Sequence, residues 1–218
     1  MTFLSTLLSW FPTFVILMTL VSFLWICFDP GILSVASLLF FLYLFPIFIY
    51  RIHEHFYPLK EGISYLCGQD YSPWWGSHQI QVIYITFPAI EAILRLIPGA
   101  FSLWLRLWGS QVGKGIYWTP HLEIADRGLL EIGDGVVFGH SIGLYSHIIK
   151  PKKQDLMLYV KKVKIGSNVF IGAGSHLGPG VLVEDEIFVP VNSYLFPNKA
   201  VSRLNHRDAE DTEEKSIE

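Results

Sequence analysis

His147 is the side chain in this sequence that is best placed for acid–base chemistry. It stands at the root of residues 145–164, which interrupt a regular six-residue repeat before the repeat resumes at Ile165. Imidazole changes its protonation state near neutral pH, so a histidine at this point can take a proton from a reacting hydroxyl group. The alternative is a solvent-exposed loop histidine without a catalytic role. Three carboxylates are candidates to orient this imidazole: Glu123, Asp126 and Asp155.

The repeat has a period of six and is most regular over residues 165–200. Five successive blocks open with an aliphatic residue: Ile165, Ile171, Leu177, Val183 and Val189. A helix needs apolar spacing near 3.6 and a half-buried strand needs spacing near 2, so a period of six fits neither. It predicts a solenoid of short strands, three to a coil, whose aliphatic side chains point inward and stack about eighteen residues apart. Glycine and small residues serve the corners.

The same period extends towards the amino terminus with one slip and one interruption. It starts at Val112, and a slip of two residues follows Ile124 before the register resumes at Ile132. Residues 145–164 then form a loop that leaves the second coil, and insertions of this kind often carry function. We therefore predict an all-β parallel β-helix of about four coils over residues 112–200. The charged residues 201–218 predict a disordered acidic tail.

Residues 1–50 predict a transmembrane helical hairpin. The runs 7–28 and 31–50 contain no charged residue, and each can cross a bilayer core of about 30 Å as a helix. A cleaved signal peptide and a buried core hairpin are the alternatives, although no basic segment precedes the first run. Arg51 and Lys60 follow the second run, whereas the first run has no Lys or Arg before it or within it. The positive-inside rule therefore places the chain after residue 50 on the cytoplasmic face of an inner or plasma membrane.

Residues 51–111 predict short amphipathic helices at the membrane interface. Pro88 and Pro98 break the apolar stretch 74–108, which favours two or three short helices over a third crossing. Four side chains suit the headgroup level of a bilayer: Arg95, Trp104, Arg106 and Trp108. Helices packed on the end of the solenoid are the alternative, and both descriptions can hold together.

Composition narrows the class of partner. The formal net charge is −3, and no Lys/Arg stripe alternates with aromatic residues, which argues against nucleic acid. Hydrophobic residues make up 51% of the chain and are concentrated in its first half, in agreement with a bilayer partner. Cys27 and Cys67 are far apart in sequence, so they indicate neither a disulfide framework nor a zinc site.

Three segments carry a resemblance to a known family: Ile132–His147, Val163–Val181 and Phe196–Lys199. Together they resemble the hexapeptide-repeat acyltransferases, which are left-handed parallel β-helix enzymes. The resemblance covers about residues 110–200, and its most specific part is the order of blocks, histidine-bearing loop and resumed blocks. It implies transfer of an acyl group from coenzyme A or acyl carrier protein as co-substrate, without a bound cofactor or metal. It also implies a homotrimer with active sites between neighbouring β-helices.

The resemblance implies roles for individual residues. His147 occupies the position of the histidine that deprotonates the acceptor hydroxyl, and the backbone N–H of Ala173 that of the oxyanion donor. Gly172 and Gly174 would let a pantetheine arm approach the backbone, with a role as corner glycines as the alternative. Lys199 would meet a coenzyme phosphate, with solvated surface as the alternative.

Two further residues are placed on the acceptor side. His121 aligns with an acceptor-binding position of the family, and we predict that Asp126 also contributes to substrate binding. A surface histidine without a role is the alternative for His121. The family's usual ending, a Gly-Asn-Pro-Ala-Lys-like stretch, is absent, which leaves coenzyme contacts at the carboxyl end open.

Two other functions remain open from the sequence. Gamma-type carbonic anhydrases use the same solenoid and bind zinc through three histidines; His140 and His176 are suggestively placed, but Val181 stands where the third ligand is expected. A non-catalytic, membrane-tethered scaffold is the other alternative. The favoured prediction is a trimeric, membrane-anchored O-acyltransferase. It would use acyl-CoA or acyl carrier protein to acylate a hydroxyl of a lipid-linked sugar, a glycolipid or a hydroxylated lipid.

Overall fold

The computed structural model describes residues 2–67 and 70–202, which divide into two compact units. The first unit comprises the chain up to Lys60, Ser64–Phe87 and Pro151–Met157, and the second comprises Glu61–Ile63, Pro88–Lys150 and the chain from Leu158. The first unit is mainly helical, whereas short parallel strands dominate the second. The predicted tail, from residue 203 onward, lies outside the described residues.

The helical unit is built on two long apolar stretches. Its helices are α1 (Phe3–Ser9), α2 (Phe11–Phe28), α3 (Ile32–Leu39), a π-helical turn (Phe40–Leu44), α4 (Phe45–Phe56) and α5 (Pro73–Thr86). The stretches Phe3–Phe28 and Ile32–Phe56 are 26 and 25 residues long, and by length and composition each can cross a membrane. Ser22 of α2 and Ser37 of α3 join the two stretches through a hydroxyl–hydroxyl hydrogen bond of 2.8 Å. Small polar contacts of this kind hold apolar helices together where the hydrophobic effect does not.

Helix α5 packs against α1, α2 and α4 within this unit. Pro46 has no N–H, so the carbonyl of Leu42 lacks its usual α-helical donor. The hydroxyl of Tyr84, which is only 1% exposed, donates a hydrogen bond of 2.8 Å to that carbonyl. The hydroxyl of Tyr84 therefore replaces the backbone N–H that Pro46 lacks, and the buried carbonyl of Leu42 keeps a hydrogen-bond donor.

The second unit begins with two helices, α6 (Ala89–Arg95) and α7 (Ala100–Leu107), that pack together. Trp104 and Trp108 are 4% and 0% exposed, so both indoles pack inside the protein and present little surface to lipid headgroups. Arg106 donates hydrogen bonds to two backbone carbonyls at the start of the first coil. These helices close the end of the β-helix, which is the alternative that the sequence left open. Tryptophan residues near an arginine are compatible both with a membrane interface and with packing on the end of a β-helix. The burial of these two indoles shows that they pack on the β-helix.

The strands are short, as a six-residue period requires. They are β1 (Gly62–Tyr65), β2 (Gln111–Val112), β3 (Glu123–Ile124), β4 (Leu130–Ile132), β5 (Val137–Phe138), β6 (Gly143–Leu144), β7 (His147–Lys152), β8 (Asp155–Val160), β9 (Val163–Ile165), β10 (Phe170–Ile171), β11 (His176–Leu177), β12 (Leu182–Val183), β13 (Phe188–Val189), β14 (Tyr194–Leu195) and β15 (Ala200–Val201).

Successive strands enter three parallel sheets in rotation, which makes a three-sided parallel β-helix. The five-stranded sheet has the order β15-β12-β9-β4-β2, the three-stranded parallel sheet β13-β10-β5, and the four-stranded sheet β14-β11-β6-β3. We call the turns from the four-stranded to the five-stranded sheet the first corner. The turns from the three-stranded to the four-stranded sheet are the second corner. The parallel β-helix predicted from the six-residue period is confirmed.

The register shows how the repeat, the slip and the loop are accommodated. Ile165 pairs with Val183, eighteen residues later, whereas Ile124 pairs with Leu144, twenty residues later, because of the two-residue slip. Ile132 pairs with Ile165 across the whole inserted loop. All five residues are at most 5% exposed. Each such aliphatic side chain contributes roughly 1.5–3 kcal/mol by leaving water.

The loop of residues 145–164 is a β-hairpin formed by β7 and β8. With β1 it makes a separate three-stranded sheet in the order β1-β8-β7. At its tip, the carboxylate of Asp155 accepts hydrogen bonds from the backbone N–H groups of Cys67 and Leu156. These bonds, that of Cys67 first, lower the pKa of Asp155 below its ordinary value.

We expect Tyr84→Phe to lower the free energy of unfolding by about 1 kcal/mol, because the Leu42 carbonyl loses its donor. In a Pro46→Ala background, the new backbone N–H can serve that carbonyl, so the same substitution should cost less. Thermal unfolding of the four proteins in one detergent measures this coupling. An equal cost of Tyr84→Phe in both backgrounds contradicts this explanation.

Candidate functional site

The structure brings Asp126 and His147 together at the first corner. β3 and β6 pair in register, with Ile124 opposite Leu144, so the turns that follow these two strands lie on adjacent coils. Oδ2 of Asp126 is 2.6 Å from Nδ1 of His147. The carboxylate side chain is 2% exposed and the imidazole 17%, so one partner is buried and the other is open to a ligand.

This pairing gives the imidazole a defined chemical role. When Nδ1–H donates to the carboxylate, Nε2 is the basic nitrogen of the ring. A buried carboxylate also stabilises the imidazolium that forms after proton transfer. The arrangement can therefore act as a general base with a fixed tautomer.

Asp126 was predicted on the acceptor side, and its position differs from that expectation. With only 1% of its surface exposed, it lies behind His147 and has no room to contact an acceptor. It is instead the orienting carboxylate, one of the three considered from the sequence. The second of these, Glu123, accepts a hydrogen bond of 3.0 Å from the hydroxyl of Tyr145.

The turn that carries Asp126 contains the two-residue slip of the repeat. Its backbone is fixed by Ser110, whose hydroxyl donates to the carbonyl of Arg127 and accepts from the N–H of Leu130. The guanidinium of Arg127 donates to both carboxylate oxygens of Glu91, at 2.6 and 2.8 Å. Sequence reasoning did not single out Glu91 or Arg127. The two-residue slip in the repeat was the sequence feature that could have drawn attention to the turn of Arg127.

Ala173, Gly172 and Gly174 lie at the second corner, in the turn after β10, and not at the corner of His147. The turn is held by the N–H of Gly174, which donates to the carbonyl of His140 at 2.8 Å. A Cβ on Gly139, one coil earlier, would collide with the backbone nitrogen of Ala173. Among residues 2–67 and 70–202, no atom accepts a hydrogen bond from the N–H of Ala173.

His121 also lies at the second corner, on the first coil. It occupies the left-handed region with a φ of 58°. Its ring is 5.0 Å from that of His140 in an edge-to-face arrangement. Within one chain, His121 therefore lies at the same corner as Ala173 and at a different corner from His147.

Lys199 lies at the first corner, two coils beyond His147, and is exposed. Close to it, Asn198 accepts hydrogen bonds from the hydroxyl of Tyr159 at 2.7 Å and from Nζ of Lys161 at 2.9 Å. The first corner of this coil therefore carries two lysine side chains. Lys161 was not singled out from the sequence, since only the hairpin's return path brings it here.

The outer surface of the four-stranded sheet carries a stack of rings. The ring of His176 is 5.9 Å from that of Tyr145 and 4.9 Å from that of Tyr194. Burial raises the pKa of Tyr145 to about 12, so its hydroxyl remains a donor. Val181 is 0% exposed and points inward, so the zinc alternative has no third ligand there. Among the described residues, no group of three or more His, Cys, Asp or Glu side chains could hold a metal.

The outer surface of the five-stranded sheet has an open groove of about 730 Å³. Glu131 accepts hydrogen bonds from Nζ of Lys162 at 2.9 Å and from Nζ of Lys164 at 2.7 Å, and three further carboxylates line the groove: Glu184, Asp185 and Glu186. The hydrogen bond from Lys164 is the main reason that the pKa of Glu131 is lowered. The groove contains neither His147 nor Asp126, so we place the candidate chemistry at the pair and not in the groove.

Solved structures with partial similarity come from acyl-transferring enzymes. A hexapeptide-repeat-containing acetyltransferase from Vibrio cholerae O1 biovar eltor, complexed with acetyl-coenzyme A, is 18% identical, with 51% of this chain and 79% of that chain covered and a TM-score of 0.34. An N-acyltransferase from Bacillus cereus, complexed with dTDP and coenzyme A, is 17% identical, with 49% and 91% covered and a TM-score of 0.29. A serine acetyltransferase from Entamoeba histolytica is 12% identical, with 86% and 68% covered and a TM-score of 0.32.

The descriptions of these proteins name the class that the sequence resembles. No family model and no curated protein matches the chain.

We expect Gly139→Ala to displace the turn of Ala173, because the added Cβ meets that backbone nitrogen. Overpacking of this kind costs roughly 1–3 kcal/mol of folding free energy. Gly31→Ala is the matched control, since nothing lies within 4 Å of the Cβ added there. Thermal unfolding of both variants tests the contact, and an unchanged midpoint for Gly139→Ala contradicts it.

Proposed function

We propose that this protein is an acyltransferase of the left-handed, hexapeptide-repeat type, with His147 as general base. The observation that carries the proposal is the buried carboxylate of Asp126, 2.6 Å from Nδ1 of an accessible imidazole. The pair lies where the hairpin leaves the β-helix, which is the position that the sequence resemblance assigns to the base. A scaffold has no need of a buried carboxylate oriented towards an imidazole.

The mechanism follows from what these groups can do. Nε2 of His147 removes the proton of the acceptor hydroxyl as its oxygen attacks the thioester carbonyl. The resulting oxyanion accepts a hydrogen bond from the N–H of Ala173. The C–S bond then breaks, and the thiolate takes the proton back from the imidazolium. The acyl group ends on the acceptor, and the carrier leaves as a free thiol.

The donor is acyl-CoA or acyl carrier protein in this proposal. The turn of Gly172, Ala173 and Gly174 would meet the pantetheine arm, although a Cβ on Gly172 or Gly174 would collide with the next coil, which is the corner role that the sequence left open. Lys161 and Lys199 offer cations for phosphate groups. His147 and Ala173 lie at different corners of one chain, which supports a homotrimer in which neighbouring chains complete each site. His121, at the corner of Ala173, would then meet the acceptor of a neighbouring chain's His147.

The acceptor is membrane-bound in this proposal. The two long apolar stretches of the helical unit support a membrane hairpin that anchors the protein, with the β-helix in the cytoplasm. Within the second unit, the surface of α6 and α7 also bears five exposed apolar residues: Ile93, Leu96, Ile97, Leu103 and Leu107. Exposed apolar surface of this kind is typical of contact with lipid. A lipid-linked sugar, a glycolipid or a hydroxylated lipid fits such a location.

We expect His147→Ala to lower the turnover number for acyl transfer by about 10²–10⁴-fold, because the general base is lost. His55→Ala is the control, since this histidine is exposed in the helical unit. Release of coenzyme A thiol from acetyl-CoA, measured with membrane lipid extract as acceptor, reports the reaction. Transfer at nearly the normal rate by His147→Ala contradicts the assignment, and no transfer by the unchanged protein with any carrier favours the scaffold.

We expect lipid-linked acceptors to be acylated with a higher kcat/KM than soluble analogues that carry the same hydroxylated headgroup. The physical reason is that the bilayer confines enzyme and acceptor to one surface and raises their effective concentration. The comparison is made with the protein in lipid nanodiscs. A preference for the soluble analogue refutes the membrane-bound acceptor and leaves the assignment of the base intact.

A further inference from the structure

A buried ion pair lies directly beside the candidate base. Glu91 of α6 is 3% exposed and Arg127 is 1% exposed. Nε and Nη2 of the guanidinium bind the two carboxylate oxygens at 2.6 and 2.8 Å. Nε1 of Trp104 donates to the same carboxylate at 3.0 Å, so Glu91 receives three hydrogen bonds from two side chains.

Arg127 is the chain neighbour of Asp126, and both belong to the turn that contains the two-residue slip. Two carboxylates, Glu91 and Asp126, are therefore buried close to Arg127 and His147. In the structure, Glu91 forms an ion pair with Arg127, and Asp126 forms a pair with His147. A second guanidinium, that of Arg95, interacts electrostatically with Glu91 and Arg127, while its Nη2 donates to the carbonyl of Leu122 at 3.0 Å and its plane lies over an aromatic ring.

This pairing has a physical consequence for the base. A guanidinium keeps its charge at any accessible pH and binds a carboxylate with two parallel hydrogen bonds, whereas an imidazole offers one. A buried guanidinium without a carboxylate is strongly unfavourable. If Glu91 were neutral, Arg127 would turn to the carboxylate of Asp126, which is next to it in the chain. His147 would then lose its hydrogen bond to Asp126.

We propose that Glu91 is a positioning residue that keeps Asp126 available to His147 by holding Arg127. The kinetic part of this inference rests on the proposed acyltransferase function, whereas the pairing itself does not. The competing explanation is that the ion pair merely fastens α6 to the turn. The two explanations differ in what happens when both members of the pair are removed.

The test uses the full-length protein and the variants Glu91→Gln, Glu91→Gln with Arg127→Met, and Trp104→Phe. We expect Glu91→Gln to lower kcat by about tenfold or more with little change in KM, because the base loses its partner. The double variant should regain most of kcat, since the guanidinium next to Asp126 in the chain is removed together with its carboxylate partner. Trp104→Phe removes a hydrogen bond from Glu91 but keeps the ion pair, so its kcat should remain within about twofold of normal.

A second readout follows the hydrogen bond without the reaction. In protein with isotopically labelled histidine, the Nδ1–H of His147 bonded to a carboxylate gives a downfield proton resonance. We expect this resonance to be lost in Glu91→Gln and in Asp126→Asn, and to be present in the double variant. If Glu91→Gln fails to fold, the double variant and Trp104→Phe still decide the question through the same resonance.

The outcomes separate this inference from the proposed function. If Glu91→Gln keeps both kcat and the resonance while Asp126→Asn loses both, the positioning role is overturned and the acyltransferase stands. A double variant that stays as impaired as Glu91→Gln, or a Trp104→Phe equally impaired, supports the fastening explanation and overturns ours. If Asp126→Asn and His147→Ala leave acyl transfer unchanged, the proposed function fails, and the resonance alone then tests the pairing.

Discussion

The parallel register between adjacent coils is the constraint on which the rest of the second unit depends. Each inward aliphatic side chain must lie over its counterpart, because displacing one strand by a residue would turn its apolar side chains outwards. This requirement aligns Ile124 with Leu144, and the turns that follow them are then neighbours. Asp126 and His147 lie in those turns. Core packing therefore places the two turns side by side, and the carboxylate of Asp126 lies 2.6 Å from the imidazole of His147.

The candidate chemistry lies where the repeat is broken. A regular coil offers only short corners, several of which place a glycine or an asparagine in the left-handed region. The slip after Ile124 lengthens one corner by two residues, and that corner holds Asp126 and Arg127. The hairpin of β7 and β8 lengthens the corner of the next coil, and His147 lies at its root. Both irregularities leave the inward stack intact, so function is added at the corners while the core keeps its register.

Properties that follow from a period could be predicted from the sequence. The inward positions, the slip and the place of the hairpin all follow from counting residues, since one six-residue rule governs them. The packing of α5 and the burial of Trp104 and Trp108 could not be predicted in this way. A helix surface that faces lipid and one that packs on protein have similar apolar and aromatic residues. Only the tertiary contacts distinguish the two kinds of surface.

The ion pair between Glu91 and Arg127 shows a second limit of sequence reasoning. Its members are 36 residues apart and belong to a helix and to a turn, so no shared period connects them. The sequence did suggest three carboxylates for His147, but it could not choose among them. The choice required knowing which turns are stacked, which is a property of the register across coils.

The positions of the base and of the candidate oxyanion donor bear on how the proposed enzyme would be assembled. His147 lies at the corner between the four-stranded and five-stranded sheets, and Ala173 at the corner between the three-stranded and four-stranded sheets. The outer surface of one whole sheet separates these corners within a single chain, whereas a thioester carbonyl must contact both groups at once. Rotating a second copy about an axis parallel to the β-helix axis can bring the second corner of that copy against the first corner of the original chain. Because each copy has one of each corner, such a contact is head-to-tail, and a ring of copies can close and complete every site.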